Sequence, residues 1–175
     1  MKDFIRSVDI KLAEYIHKNI KNDKLDKLFS RINRGEVMAF LVIPALFLSE
    51  IPNPFLALFY TAFFAFLNDR SVLIIKKKIS RKRPSLKIMG KENNHPDLNH
   101  SFPSAHAANS IIVAILLVIL FQQTYLLFVL AFIAGVGRLL TLHHFLSDVV
   151  GGWCIGIFSG VLGIAFYIYV LKNFI

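Results

Sequence analysis

A chain of 175 residues fits one domain. It carries a net charge of +9, is 55% apolar, and gathers its apolar residues into unbroken runs such as 111–121, which excludes a disordered chain and argues against a soluble single core. The only cysteine, Cys154, excludes a disulfide framework and any multi-cysteine metal site.

In a membrane protein the basic excess speaks first for loop topology and anionic headgroups, and the apolar runs argue against nucleic acid as a partner. Residues 1–36 are polar and hold nine Lys and Arg, too many for a membrane span. Ile5, Val8, Leu12, Ile16 and Ile20 step by three and four, which predicts one apolar helical stripe. We expect an amphipathic helix lying on the membrane surface rather than a signal peptide. The remainder, 37–175, reads as one transmembrane domain.

Five spans are predicted within it, at 37–51, 55–75, 104–121, 125–142 and 149–170, judged against the roughly 20 apolar residues that a bilayer core requires. The fold class is therefore all-α, an integral membrane helical bundle. The connections are short except for 80–103, a basic loop with His95 and His100. Compact folds seldom keep such a loop without a use for it. Gly152, Gly156 and Gly160, like Ala131 and Gly135, stand four apart and predict close helix packing.

Polar groups at membrane depth need a reason, and here they form three clusters. Lys76 is followed, after six residues, by Arg83-Pro84. Pro103-Ser104-Ala105-His106 opens the third span. Arg138 is followed after five residues by His144 and after three more by Asp148. The third span leaves one membrane face and the fourth returns to it, so all three clusters meet on that face. Guanidinium forks, an ammonium and the free N–H groups of a helix N-terminus favour a phosphate. His144 and Asp148, four apart, would share a helical face, with the carboxylate fixing the tautomer of a nucleophilic or basic imidazole. His106, from another helix, would serve a leaving oxygen as acid. No carboxylate cluster suited to magnesium accompanies them, so phosphoryl transfer without metal or cofactor is expected.

The three clusters resemble the signature of the type 2 phosphatidic acid phosphatase superfamily, Lys-x6-Arg-Pro, Pro-Ser-Gly-His and Ser-Arg-x5-His-x3-Asp. The resemblance implies that Lys76, Arg83 and Arg138 bind phosphate oxygens and that Ser104 and the N–H of Ala105 complete the cradle. It implies that His144 attacks phosphorus, Asp148 orients it and His106 protonates the leaving group. The spacing from Arg138 selects His144 over His143. Ala105 stands where the family has Gly, and Gly137 where it has Ser.

Membrane members act on lipid phosphates, among them undecaprenyl and other polyprenyl diphosphates, phosphatidic acid, phosphatidylglycerophosphate and lipid A 1-phosphate. The resemblance thus implies a bacterial lipid phosphatase of the cytoplasmic membrane. A phosphotransferase to a second lipid and a non-catalytic binder of anionic lipid are the competing classes. Eighteen of the 20 Lys and Arg fall on the expected site face, which by the positive-inside rule would be cytoplasmic. The resemblance implies the outer face, where most bacterial relatives work, and we expect that side, with the basic residues holding lipid headgroups.

Overall fold

The computed structural model describes residues 2–32, 35–49, 51–90 and 100–170; His95 lies outside them. The described elements are helices α1 (Lys2–Tyr15), α2 (Asp23–Ile32), α3 (Gly35–Leu48), α4 (Pro54–Ile79), α5 (Pro84–Met89), α6 (Ala105–Phe121), α7 (Leu126–Leu140) and α8 (Leu146–Tyr169), with a π-helical turn at Ile16–Ile20. Helices α3, α4, α6, α7 and α8 stand where the five apolar segments were predicted. Of these, α4 and α8 are long and apolar enough to cross a membrane, whereas α6 and α7 are shorter apolar helices.

The helix limits follow from local chemistry. Asn53 caps α4 by accepting the Leu56 N–H at 2.9 Å, and Pro54 takes the first-turn position where its missing donor costs nothing. With 26 residues at ~1.5 Å each, α4 runs about 39 Å. This exceeds a hydrocarbon core of about 30 Å and carries its last turns to the margin of the membrane. α5 falls inside the predicted basic loop. Pro84 starts it and Gly90, at φ 64°, ends it, a start and a stop too close together for hydrophobic periodicity to register.

α6 is the central helix, packed against α8, α7 and α4. Its buried residues, from Ala107 to Phe121, run around the helix rather than along one stripe, as expected where neighbours lie on several sides. The outer faces of α4 and α8 are apolar and exposed, with Phe59, Phe63 and Phe66 on one and Phe158, Val161 and Leu162 on the other. Water would penalise such a belt, whereas hydrocarbon solvates it. The molecule is an integral membrane helical bundle.

Within the bundle, α6 and α8 approach most closely. A Cβ added to Gly156 would sit 2.4 Å from the Ala108 carbonyl oxygen, and one added to Gly152 would sit 2.5 Å from that of Ser104. Polar bonds cross the middle of the bundle. Asn68 of α4 donates to Asn109 of α6 at 2.6 Å and accepts from Ser159 of α8 at 2.8 Å, and Asn109 donates to Asp69 at 3.2 Å. At the end away from α5, Tyr60 donates to the Gly163 carbonyl at 2.6 Å, with Phe121 and Tyr167 packed edge-on around its ring.

The predicted apolar stripe of the N-terminal helix divides. Ile5 and Val8 are exposed, but Ile16, with Ala13, is buried against Leu142 and Phe145 in the α7–α8 connection. α1 thus packs on α5 and α8 as well as presenting an apolar face outward.

Gly156→Val should drive a side chain into the α6 backbone. We expect a loss of about 1–3 kcal/mol, seen as a lower unfolding midpoint in detergent, whereas the same substitution at Gly90 would act through its left-handed φ alone.

Candidate active site

One end of the bundle collects the three predicted clusters. Lys76 lies near the end of α4 and is buried. Ser80, in the left-handed region at φ 48°, turns the chain out of α4. The next residues run extended, and Lys82 forms an antiparallel bridge with His100. Arg83, also buried, donates from Nε to the His100 carbonyl at 3.3 Å. Arg138 comes from the last turn of α7. Its guanidinium is hydrogen-bonded to Nε2 of His106, the second residue of α6, and its carbonyl accepts the N–H groups of both His143 and His144 at 3.1 Å. Lys76, Arg83 and Arg138 all lie close enough to His144 to act on its charge.

His144 is buried and its Nδ1 lies 2.7 Å from the Ser101 carbonyl. A carbonyl only accepts, so that bond puts the proton on Nδ1 and leaves a lone pair on Nε2. The four-residue spacing predicted this orienting role for Asp148. The structure differs, because Asp148 Oδ2 is 3.9 Å from Nδ1, beyond hydrogen-bond reach. Its oxygens are taken elsewhere, Oδ1 by Arg81 Nη1 at 2.7 Å and Oδ2 by the Phe145 N–H at 2.8 Å. Asp148 therefore caps α8 from its third position, where a carboxylate also complements the helix dipole.

The connection carrying the two histidines is held against strain. Leu142 has φ 56°, which for a bulky residue costs about 1–3 kcal/mol. It is fully buried against Ala13, Ile16 and Phe145, and its carbonyl accepts the Ser85 N–H at 3.0 Å. Burial pushes the His144 pKa well below the usual 6.5, aided by Arg83, Lys76 and Arg138, against the opposing effect of the Ser101 bond. His143, whose Nδ1 meets the Thr141 hydroxyl at 2.9 Å, is pushed down to about 4 by burial and by Arg138, Arg83 and Lys21. Both rings are neutral near pH 7.

Ser104 is the N-cap of α6. Its hydroxyl accepts the Ala107 N–H at 3.4 Å and its own N–H donates to the Asp148 carbonyl at 2.9 Å, which locks the starts of α6 and α8 together. Ala105 follows in the first turn of α6. With His106, its side lines a cleft of about 290 Å3 that continues past Asp69, Asn109, Leu130 and Ala134. The cleft is mostly apolar and joins the charged end to the depth of the bundle.

Arg81, Asp9, Ser101 and Ser147 were not singled out in the sequence. Arg81 hides among Lys76–Lys78 and Lys82, and Ser101 contributes a backbone atom that no side-chain pattern reports. Asp9 did leave a signal, since it interrupts the apolar stripe between Val8 and Leu12.

The PAP2 superfamily model matches residues 53–173, and the chain belongs to that superfamily. Comparison with curated proteins yields no match. Two crystal structures share the fold. The first transmembrane PAP2 type phosphatidylglycerolphosphate phosphatase from Bacillus subtilis is 22% identical at a TM-score of 0.67, over 95% of this chain and 88% of that one. LpxE from Aquifex aeolicus is 24% identical at a TM-score of 0.65, over 90% of this chain and 94% of that one.

The lowered histidine pKa values set a direction for stability. Below 6.5 the unfolded chain takes up protons that folded His143 and His144 refuse, so the contribution is complete above 6.5 and is lost as pH falls towards the folded values. Melting in detergent should show a midpoint that is flat at neutral pH and falls through this acid window, and that falls less in a His143→Gln variant.

Proposed function

We propose that this protein is a multi-pass lipid phosphatase that works through a phosphohistidine, without metal or cofactor. The observation carrying this reading is one conjunction. A neutral imidazole with a lone pair on Nε2 sits beside three cations, one of which, Arg138, is bonded to His106 in the lining of an apolar cleft. Lys76, Arg83 and Arg138 would hold the phosphate oxygens and balance the charge that develops on them, with Ser104 and the Ala105 N–H at the start of α6. A fixed set of cations supplies what a metal supplies elsewhere.

In the first step Nε2 of His144 attacks phosphorus. The bond from phosphorus to the leaving oxygen breaks, and His106 gives that oxygen a proton. In the second, water attacks the phosphohistidine and the P–N bond breaks. His106 takes the proton from water and free phosphate leaves. Asp148 acts in both steps by holding the start of α8, on which the His144 connection rests.

The cleft from His106 into the bundle supports a substrate whose phosphate sits at the membrane margin and whose chain lies in hydrocarbon. The Bacillus subtilis neighbour is named for phosphatidylglycerolphosphate, which belongs to that chemical class. Polyprenyl diphosphates and lipid A 1-phosphate belong to it too. The test is release of free phosphate by the detergent-purified protein across such a panel. His144→Ala should abolish turnover in a protein that still folds, while His143→Ala costs far less, and chelator leaves the wild-type rate unchanged. Full activity in His144→Ala would overturn the mechanism.

The bundle is read as five spans in a bacterial cytoplasmic membrane, with the site on the outer side and its basic residues against anionic headgroups. An odd number of spans puts the C-terminus in the cytoplasm. A fluorescent protein fused there should therefore glow, and a dark fusion with an active alkaline phosphatase counterpart would reverse the orientation.

A further inference from the structure

The N-terminal helix reaches the site through a carboxylate. Asp9 of α1 is 2% exposed, deeply buried for a charged residue. Its Oδ1 accepts the Ser147 N–H at 3.0 Å, in the first turn of α8, and its Oδ2 accepts from Arg81 Nη2 at 2.7 Å. The Ser147 hydroxyl donates to the same Oδ2 at 2.5 Å. Arg81 spreads its fork over two carboxylates, with Nη2 on Asp9 and Nη1 on Asp148 at 2.7 Å. Its guanidinium carbon lies 4.3 Å from the centre of the ring of Phe145, next to His144 in the chain.

The backbone of Arg81 has a second hold on the site. Its carbonyl accepts the Ser101 N–H at 2.7 Å, and Ser101 is the residue whose carbonyl takes the proton of His144 Nδ1. Beneath these bonds Ala13 and Ile16 of the same N-terminal segment pack on Leu142 and Phe145, which flank the histidine pair. One helix thus braces the His144 connection from below and, through Arg81, from the side.

We infer that Asp9 and Arg81 are positioning residues for phosphoryl transfer, so that α1 is a working part of the active site rather than a membrane anchor alone. The inference rests on the reading of His144 as nucleophile. Arg81 is suited to this because a planar fork can bond two carboxylates at fixed angles, which a lysine ammonium cannot do. A part-buried guanidinium between two buried carboxylates also forms a network whose members depend on one another, so loss of one carboxylate releases the other's partner.

The test separates attack by His144 from simple phosphate binding. Vanadate, as a five-coordinate mimic, requires a bond to Nε2 of His144, whereas inorganic phosphate requires only the cationic cradle. In the purified full-length protein, Asp9→Asn should lower kcat about ten- to a hundredfold and weaken vanadate inhibition in parallel. KM and inhibition by phosphate should stay within about twofold. Arg81→Lys keeps the charge beside Asp148 but loses the fork. It should show the same split, and it decides the matter if Asp9→Asn does not fold. Wild-type kcat in both variants, with His144→Ala inactive, overturns the inference and leaves the phosphatase reading standing. An equal fall in kcat, phosphate affinity and melting midpoint also overturns it, because that pattern means a role in folding only. Turnover in His144→Ala would instead sink the reading on which the inference rests.

Discussion

Like charges brought together repel, and everything at the working end of this protein is arranged around that constraint. Lys76, Arg83 and Arg138 come from three different segments and stand close enough to add to the effect of burial on the basicity of His144, and Arg83 and Arg138 act on His143 as well. Holding them there requires rigid backbone. Arg138 sits on the last turn of α7, and Arg83 is pinned by its bond to the His100 carbonyl. Asp148 and Asp9 are bonded to a fourth cation, Arg81. The carboxylates therefore stabilise the framework through Arg81, and the charge of Asp148 also reaches Lys76 and Arg83.

The tautomer of His144 follows from the same framework. Its Nδ1 proton goes to a backbone carbonyl, which cannot titrate. A carboxylate in that place would itself respond to protonation and to neighbouring charges. The ring is held by the main chain at Ser101, while the oxygens of Asp148 are committed to Arg81 and to the Phe145 N–H. The Leu142 backbone strain lies one residue before the histidine pair and is absorbed by packing on α1 and α5, so the cost is borne where the geometry is set.

Much of this was legible in the sequence. The apolar segments placed the helices because hydrophobic length is the strongest signal a chain carries, and the spacing of Lys76 and Arg83, and of Arg138, His144 and Asp148, named the residues that gather at one end. Where reading failed, the causes were physical. α5 has only six residues, set by Pro84 and Gly90, and no period can show over that length. The orienting partner of His144 is a main-chain atom, which has no side-chain signature. Four-residue spacing suggested that Asp148 would reach His144, but the helix begins only at Leu146, so the two are not on one regular turn. Arg81 was masked by neighbours of the same charge. Asp9 was visible as a carboxylate on an apolar stripe, but its meaning depended on a contact 72 residues away in the chain.

The polar bonds joining Asn68, Asn109 and Ser159 have a consequence at the other end of their helices. Helices in hydrocarbon slide past one another with little penalty, since apolar surface leaves one apolar neighbour for another. These bonds give α4, α6 and α8 a common datum level at mid-depth. From that level Lys76 lies eight residues along α4, about 12 Å, and His106 lies three residues along α6, about 4.5 Å. A slip of one turn would carry either of them about 5.4 Å out of alignment, more than the length of a hydrogen bond. The relative heights of Lys76 and His106 are thus gauged from the interior of the bundle, by two amides and a hydroxyl at a distance from both.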